Sequence, residues 1–257
     1  MIPSTLRIDD QDRVRTIRLN RPESRNAMTP EMQEELIAAF EATPREGVRV
    51  LVLTGEGNAF CAGLDLRVLQ SMHTATLEEH EASAARIVRL FRTLWELPVP
   101  TIALVDGPAI AGGAGLATLC DYTLASPAAR FAYTEARIGF VPAVVSAFLT
   151  LQLGDKRSRD LLLSARVFTA EEAQSLGLVH CVAPREELAS RMRELIATLM
   201  ANSPESLAAT KKLLAAQQAA WLDTALSAAL AANAAARQTH DFHEGVQAFL
   251  EKRKPQW

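Results

Sequence analysis

Two continuous apolar runs rich in β-branched residues constrain the fold most strongly. They are VRVLVLTG at residues 48–55 and TIALVDG at residues 101–107. Runs that do not alternate with polar residues are typical of strands buried on both faces, as in a parallel sheet. Each run leads through a loop of small residues into a predicted helix. This order predicts an α/β fold with ligands at the carboxyl ends of the parallel strands.

Local signals predict the elements around these two strands. The segments STLRIDD and VRTIRLN predict an opening hairpin. We expect a helix that is capped by Thr29 and runs through about Phe40, and a long amphipathic helix at roughly residues 77–97. The segment AIAGGAGLATLCD, residues 109–121, is expected to start a helix after its glycines. The later predictions are strands in DYTLAS and RFAYTE, helices capped by Thr169 and Ser203, and a short strand in LVHCVA.

The last third of the chain is mainly helical in pattern. No linker and no repeat of fixed period divides the sequence. We therefore predict an α/β core at residues 1–195 that holds the ligand site, followed by a helical region at residues 196–257.

Charge and cysteine content indicate a small ligand and a reducing compartment. The net charge of -3 argues against nucleic acid or an anionic membrane as the main partner, because both require a concentrated basic field. Cys61, Cys120 and Cys181 are odd in number and lack paired or metal-ligand spacing. The first residues, MIPSTLRIDDQDR, contain no apolar signal-peptide core. We expect a cytoplasmic protein.

Two loops of small residues, AGLDL after the first strand and AGGAGLA after the second, are candidates for a site built from backbone groups. Neither matches the spacing of a phosphate loop or a dinucleotide fingerprint. Backbone N–H groups that no side chain obstructs can form an oxyanion hole, in which two donors stabilise an enolate oxygen. The alternative is that the glycines only allow helices to pack closely.

Five segments together resemble the enoyl-CoA hydratase/isomerase, or crotonase, superfamily over nearly the whole chain. The nearest resemblance is to bacterial hydratases of the methylglutaconyl-CoA type. The resemblance implies a crotonase-like α/β fold, a spiral of β-β-α units whose helical C-terminal region builds a trimer or a hexamer of two trimers. The segments are NRPESRNAM, GEGNAFCAGLDL, GPAIAGGAGLATLCDYTLAS, TEARIGFVPA and EGVQAFLEKRKPQW.

The resemblance also implies roles for individual residues. The N–H groups of Ala62 and Gly112 are expected to hold the thioester oxygen. Phe249 and Lys252 match positions that contact the adenosine end of coenzyme A, although they could equally be a core residue and a solvated charge. The other residues expected to contact coenzyme A or the acyl group are Arg25, Ala27, Gly63, Leu64, Asp65, Leu66, Gly115 and Pro142.

The acid that typical hydratases carry in the helix after the glycine turn is missing. Gly115 stands at that position, whereas the second glutamate is retained as Glu135. A glycine there predicts room for a bulkier or carboxylated acyl group, unless Gly115 serves only helix packing. Burial against apolar walls is expected to raise the pKa of Glu135, which suits a group that takes and gives protons.

The resemblance implies hydration of a 2-enoyl-CoA in fatty acid or branched-chain acyl-CoA catabolism. A single carboxylate also suits an enoyl-CoA double-bond isomerase, and a third possibility is a non-catalytic acyl-CoA or RNA-binding protein. No metal or redox cofactor is implied, since coenzyme A is part of the substrate. We expect Asp65 to cap a helical turn and Asp121 to support a strand. The histidines at positions 73, 80, 240 and 243 form neither a metal set nor a catalytic triad.

Overall fold

The computed structural model describes residues 3–72 and 74–257, without the side chain of Leu66, so the expectation for His73 lies outside the described residues. The strands are β1 Leu6–Gln11, β2 Val14–Leu19, β3 Val50–Gly55, β4 Thr101–Val105, β5 Pro108–Ile110, β6 Tyr122–Ala125, β7 Arg130–Ala132, β8 Val167–Thr169 and β9 Cys181–Val182. The helices are α1 Pro30–Ala42, α2 Leu66–Ser71, α3 Leu77–Trp95, α4 Gly112–Leu119, α5 Ala143–Leu153, α6 Asp155–Ser164, α7 Ala170–Leu176, α8 Arg185–Ala201, α9 Pro204–Ala236 and α10 His240–Leu250. Pro22–Ser24 and Glu135–Ile138 form 3₁₀ helices.

The main sheet has six strands in the order β1-β2-β3-β4-β6-β9. β1 and β2 form the predicted antiparallel hairpin, and the remaining neighbours pair in parallel. Side chains of β3 alternate between two cores: Leu51 and Leu53 face the larger one, while Val50 and Val52 pack with α8 on the opposite face. Burial of both faces explains why the sequence of this strand is continuously apolar.

A second, smaller sheet has the order β5-β7-β8. β5 and β7 are parallel, and β8 is antiparallel to β7. The sequence analysis missed β5 and β8, which have three residues each. β5 follows β4 almost directly and leads the chain into α4.

The predicted helix caps are confirmed. The Thr29 hydroxyl accepts a hydrogen bond from the Met32 N–H at 3.2 Å, and Pro30 occupies the first turn of α1. Thr169 and Ser203 cap α7 and α9 in the same way. Each cap satisfies an N–H that the helix leaves without a partner.

Helix α4 differs from the prediction because it begins at Gly112 and contains the glycines. A Cβ at Gly113 would lie 2.4 Å from the Cys61 carbonyl oxygen, so the absence of a side chain lets the helix touch the preceding loop. Helix α8 spans residue 195, where the sequence predicted the end of the α/β core. The division at that residue stays a prediction. None of the described helices combines the length and the apolar character needed to cross a membrane.

Candidate active site

A cavity of about 520 Å³ opens beside the first turn of α4. Its walls come from α2, α3, α5, α9, α10 and the 3₁₀ helix Glu135–Ile138, so distant parts of the chain meet there. Most of the lining side chains are apolar. The lining includes Ala62, Leu64, Phe91, Gly112, Glu135, Pro142, Asn233, Arg237, Phe249 and Arg253.

The two loops of small residues meet at this cavity, as expected. A bridge between Cys61 and Ala109 joins them, and the Ile110 N–H donates to the Cys61 carbonyl at 2.9 Å. The first loop is also tied to the chain before α1, where the Met28 N–H donates to Gly63 at 2.7 Å. Backbone hydrogen bonds therefore hold both loops at the carboxyl ends of β3 and β4.

The predicted role of Asp65 as a helix cap is confirmed. Its carboxylate accepts from the Arg67 N–H at 2.9 Å at the start of α2. It also accepts from Arg21 at 2.8 Å, and hydrogen bonds and the arginine charge lower the pKa of this carboxyl despite its burial. Asp65 does not line the cavity in the structure, so its contribution is to hold the loop in place.

The structure contradicts the oxyanion-hole role predicted for the Ala62 N–H. That group already donates to the Arg25 carbonyl at 3.0 Å. The Asp65 N–H also donates to the segment before α1, at the Met28 carbonyl, over 3.0 Å.

The N–H groups of Leu64 and Gly112 have no hydrogen-bond acceptor among residues 3–72 and 74–257, and both residues line the cavity. Gly112 is the first residue of α4, where helix geometry leaves N–H groups unpaired and the helix dipole is positive. The preceding Ala111 has φ 52° and ψ -123°, a conformation that alanine rarely adopts. Its N–H donates to the Ala132 carbonyl at 2.7 Å, which holds this strained turn in place.

Glu135 follows β7 and is the first residue of the 3₁₀ helix Glu135–Ile138. The Phe140 N–H donates to the Glu135 carbonyl at 3.0 Å, which closes this turn. The Oε2 atom of Glu135 is buried without a hydrogen-bond partner among the described residues. Burial among apolar side chains raises the pKa of this carboxyl to about 7. A group of this pKa can both accept and donate a proton at neutral pH.

The space predicted beside Gly115 is already filled. A Cβ at this position would lie 2.7 Å from the Phe91 ring and 3.1 Å from Val145. The ring belongs to α3 and lines the cavity. It lies beside Gly115, the position at which this sequence lacks the first acid of typical hydratases. The glycine therefore serves close packing of α4 against α3, and the expectation of spare room is wrong.

Six residues from the predicted site set border the cavity, namely Ala62, Leu64, Gly112, Glu135, Pro142 and Phe249. Among the others, Arg25 is exposed and Ala27 is buried in the loop before α1. Lys252 is exposed and does not border the cavity, whereas its neighbour Arg253 does. Gly63, Asp65 and Gly115 support the walls from behind, and Leu66 begins α2.

Most of the other cavity residues were missed by sequence reasoning, among them Phe91, Asn233, Arg237 and Arg253. Phe91 and Asn233 lie inside long helical patterns, where core packing is the ordinary interpretation. Arg237 follows an alanine-rich helix that the sequence assigned to packing. A charged residue at the end of so apolar a segment is the one signal that could have drawn attention to it.

The structural role predicted for Asp121 is confirmed. The Asp121 carboxylate accepts hydrogen bonds from the Thr101 N–H at 2.7 Å and from Lys211, which ties the starts of β4 and β6 to α9. Cys61 is buried, and burial raises the pKa of its thiol to about 12. In the part of the chain that the structure describes, no three His, Cys, Asp or Glu side chains are grouped closely enough to hold a metal ion.

Comparison with known proteins matches this chain to one family. The family model for enoyl-CoA hydratase/isomerase matches residues 9–257. A Thermus thermophilus protein assigned as an enoyl-CoA hydratase is 43% identical over 251 residues, which cover 96% of this chain and 98% of that protein. A Rhodobacter capsulatus protein with the same assignment is 35% identical, covering 98% of this chain and 96% of that one. The crystal structure of an enoyl-CoA hydratase from Mycobacterium avium superposes with a TM-score of 0.87 at 31% identity, with 98% of both chains covered. The chain therefore belongs to the enoyl-CoA hydratase/isomerase family.

Proposed function

We propose that the protein is an enoyl-CoA hydratase that adds water across the double bond of a 2-enoyl thioester. One observation carries the proposal: the partly unpaired carboxyl of Glu135 shares a cavity with the two unpaired N–H groups of Leu64 and Gly112. A proton-transfer group in one cavity with two unpaired N–H donors is the combination of groups that enolate chemistry requires. The names of the relatives support the same reaction.

In the proposed reaction, the Leu64 and Gly112 N–H groups donate to the thioester oxygen. Glu135, as carboxylate, takes a proton from water while the water oxygen bonds to C3 and the C2–C3 π electrons move toward the thioester. The negative charge then rests on the thioester oxygen as an enolate. Glu135 returns its proton to C2, which completes the addition of water and leaves the carboxylate ready for the next turnover.

Several parts of the site support this assignment of roles. The N-terminal dipole of α4 adds to the field at the developing negative charge. The cavity is mostly apolar, so each donor acts in a medium of low dielectric constant. Loss of one such donor typically costs about 10²- to 10³-fold in kcat. Phe249 and Arg253 are exposed residues of the cavity lining and are candidates for contact with coenzyme A.

A second candidate is enoyl-CoA double-bond isomerisation on the same residues. The observation that favours it is that the Phe91 ring occupies the wall beside Gly115, and that Glu135 is the one carboxylate among the described residues of the cavity lining. One carboxylate suffices to remove a proton from C2 of a 3-enoyl thioester and return it to C4, so that the double bond moves from C3–C4 to C2–C3. The oxyanion hole would stabilise the dienolate in the same way.

The two reactions can be separated by their products. The purified protein is incubated with crotonyl-CoA and with a 3-enoyl-CoA in water labelled with ¹⁸O, and the thioesters are separated by liquid chromatography and then analysed by mass spectrometry. A hydratase gives labelled 3-hydroxyacyl product from crotonyl-CoA. Conversion of the 3-enoyl ester without uptake of ¹⁸O identifies an isomerase, and no turnover of either favours a protein that only binds acyl-CoA.

We also propose that the helical region at residues 196–257 associates into trimers or pairs of trimers. Helix α9 exposes apolar side chains of Leu213, Leu214 and Trp221, which association would cover. Light scattering coupled to size-exclusion chromatography measures the mass directly, and a monomer at micromolar concentration would contradict this proposal. The branched-chain or fatty-acid pathway and the cytoplasmic location stay predictions.

A further inference from the structure

Helix α10 packs directly against the backbone of the Glu135 turn, residues 135–140. A Cβ added at Gly245 of α10 would lie 2.3 Å from the Ile138 carbonyl carbon, and one added at Gly139 would lie 2.1 Å from the Asp241 carbonyl oxygen. Distances this short leave no room for a side chain, so the two backbones touch at both glycines. Gly139 also has φ 66°, which glycine adopts without strain.

Aromatic contacts join the same two segments. The centre of the Phe140 ring, at the end of the turn, lies 5.2 Å from the centre of the Phe242 ring of α10. Arg237, in the connection between α9 and α10, places its guanidinium carbon 5.6 Å from the centre of the Phe140 ring. The Phe140 N–H in turn donates to the Glu135 carbonyl at 3.0 Å. Contacts to Phe140 therefore reach the backbone of Glu135 through one hydrogen bond.

The same helix packs against the loop that carries the Leu64 N–H. Phe242 and Val246, which are neighbours on one face of α10, are fully buried in a small apolar cluster separate from the two larger cores. Side chains from the loop before α2, from α2 and from the Glu135 turn belong to this cluster or pack against it, namely Leu64, Val68, Leu69, Met72, Ile138 and Phe140. Helix α10 thus contacts both segments that carry the proposed catalytic groups.

These two segments belong to different parts of the fold. The Leu64 N–H lies in the loop after β3, whereas Glu135 follows β7 in the smaller sheet. Enolate chemistry depends on the position of the N–H donors relative to the carboxyl, and a displacement of about 1 Å can lower a rate by about 10²-fold. An element that contacts both segments therefore affects the rate without supplying a reacting group.

The contact between α10 and the Glu135 turn is also part of the cavity wall, since Ile138, Phe140 and Gly245 all border the cavity. Separation of α10 from the turn would open this wall and admit water beside Glu135. Burial, rather than a neighbouring charge, raises the pKa of this carboxyl, so added water lowers that pKa. Titratable groups that border the cavity or lie on α10 are Arg137, Arg237, His240, Asp241, His243, Glu244 and Arg253.

We propose that α10 is a positioning element that sets the place of Glu135 relative to the Leu64 N–H, with Phe242 and Gly245 as positioning residues. This inference rests on the proposed function for the roles of Glu135 and Leu64. Both positioning residues act through groups of the Glu135 turn, and neither supplies a reacting group. The C-terminal segment EGVQAFLEKRKPQW, residues 244–257, then contributes to catalysis as well as to association of the helical region.

The test compares two substitutions that remove the same ring from different cores. Phe242→Leu loosens α10, whereas Phe40→Leu alters α1 in the main core. Both rings are fully buried and neither residue borders the cavity. We expect both variants to lose Tm, measured by circular dichroism. Only Phe242→Leu should lower kcat for crotonyl-CoA, by about 10- to 10²-fold, while the Kd of butyryl-CoA changes less than about threefold.

A second pair of variants adds a methyl group instead of removing a ring. Gly245→Ala forces α10 away from the Ile138 backbone, whereas a Cβ at Gly177, after α7, meets no atom within 4 Å. Gly177→Ala destabilises only through its positive φ of 89°, so it is the control. We expect Gly245→Ala alone to lower kcat, by about 10-fold or more. Val246→Ala, in the same cluster, replaces Phe242→Leu if the latter fails to fold.

The pKa of Glu135 gives a readout that requires no turnover. Carbon-13 NMR of the glutamate carboxyls, with Glu135→Gln to assign the signal, follows the titration of this group. We expect the pKa to fall from about 7 in Phe242→Leu and to stay near the wild-type value in Phe40→Leu.

The kcat comparison decides the outcome if wild type hydrates crotonyl-CoA, and the pKa comparison decides it if wild type does not. In an active enzyme, equal kcat in folded Phe242→Leu and Phe40→Leu overturns the inference alone. Absence of turnover in wild type, together with the expected pKa difference, overturns the proposed function and supports the positioning of Glu135 by α10. Absence of turnover with the same Glu135 pKa in both variants overturns both.

Discussion

The raised pKa of Glu135 makes the stability of the protein depend on pH in a direction that can be measured. Burial raises this pKa from its ordinary value of 4.5 to about 7. Between these two pH values the native protein holds a proton that the unfolded chain has released. The contribution of Glu135 to stability is therefore greatest below pH 4.5, is lost as the pH rises toward 7, and stays lost above it.

Substitution of Glu135 by glutamine removes this pH dependence while keeping the size of the side chain. The shift predicts that the free energy of unfolding of Glu135→Gln, relative to wild type, increases by roughly 2 to 3 kcal/mol between pH 5 and pH 8. Water that enters the cavity reduces the effect of burial on the pKa of Glu135, so this free-energy range is an upper limit. For a chain of this length, the corresponding change in the Tm difference is roughly 5 to 10 °C.

Thermal unfolding followed by circular dichroism at pH 5, 6, 7 and 8 measures this change. Glu23→Gln, which removes an exposed carboxylate from the other short 3₁₀ helix, is the matched control and is expected to show a much smaller pH dependence. The same Glu135→Gln protein should lose about 10²- to 10⁴-fold in kcat at pH 7. Parallel Tm curves for wild type and Glu135→Gln across this range would refute the argument from burial, and near-normal turnover would refute the proton-transfer role.

Three further predictions concern the walls of the cavity. Replacement of the Leu64 amide by an ester, through incorporation of the α-hydroxy acid, removes the N–H donor and should lower kcat by about 10²-fold or more. The equivalent ester at Ala62 is the control, and a larger loss of kcat there would identify the Ala62 N–H as the donor. Gly115→Glu should lower the free energy of unfolding by about 1 to 3 kcal/mol or more, because the aromatic ring beside it leaves no space, and an undiminished Tm would show that the position has room. Arg253→Ala should raise KM for CoA thioesters more than Lys252→Ala does, since only the former borders the cavity, and steady-state kinetics with equal KM values would contradict this assignment.

Much of the fold was predictable because its signals are local. The continuous apolar runs of β3 and β4 follow from burial of both sheet faces, and the hairpin and the helix starts follow from alternation and capping residues. The meeting of the two loops of small residues was also predictable, since parallel strands bring their carboxyl ends to one edge of a sheet. Glu135 was identified through the segment that resembles the family, and the structure places it in the cavity with a raised pKa.

The sequence by itself determined which segments become strands and helices, because side-chain periodicity and capping act within a few residues. It also determined that two loops with accessible backbone follow neighbouring strands. Only the tertiary structure decided that the N–H of Leu64 rather than that of Ala62 is unpaired, since the direction of each N–H depends on the Arg25 and Met28 carbonyls across the loop. It likewise decided that Phe91 fills the place beside Gly115 and that Arg237 reaches the cavity from a helix about 100 residues beyond Glu135. Such contacts join residues far apart in the chain, and no local pattern encodes which of them will meet.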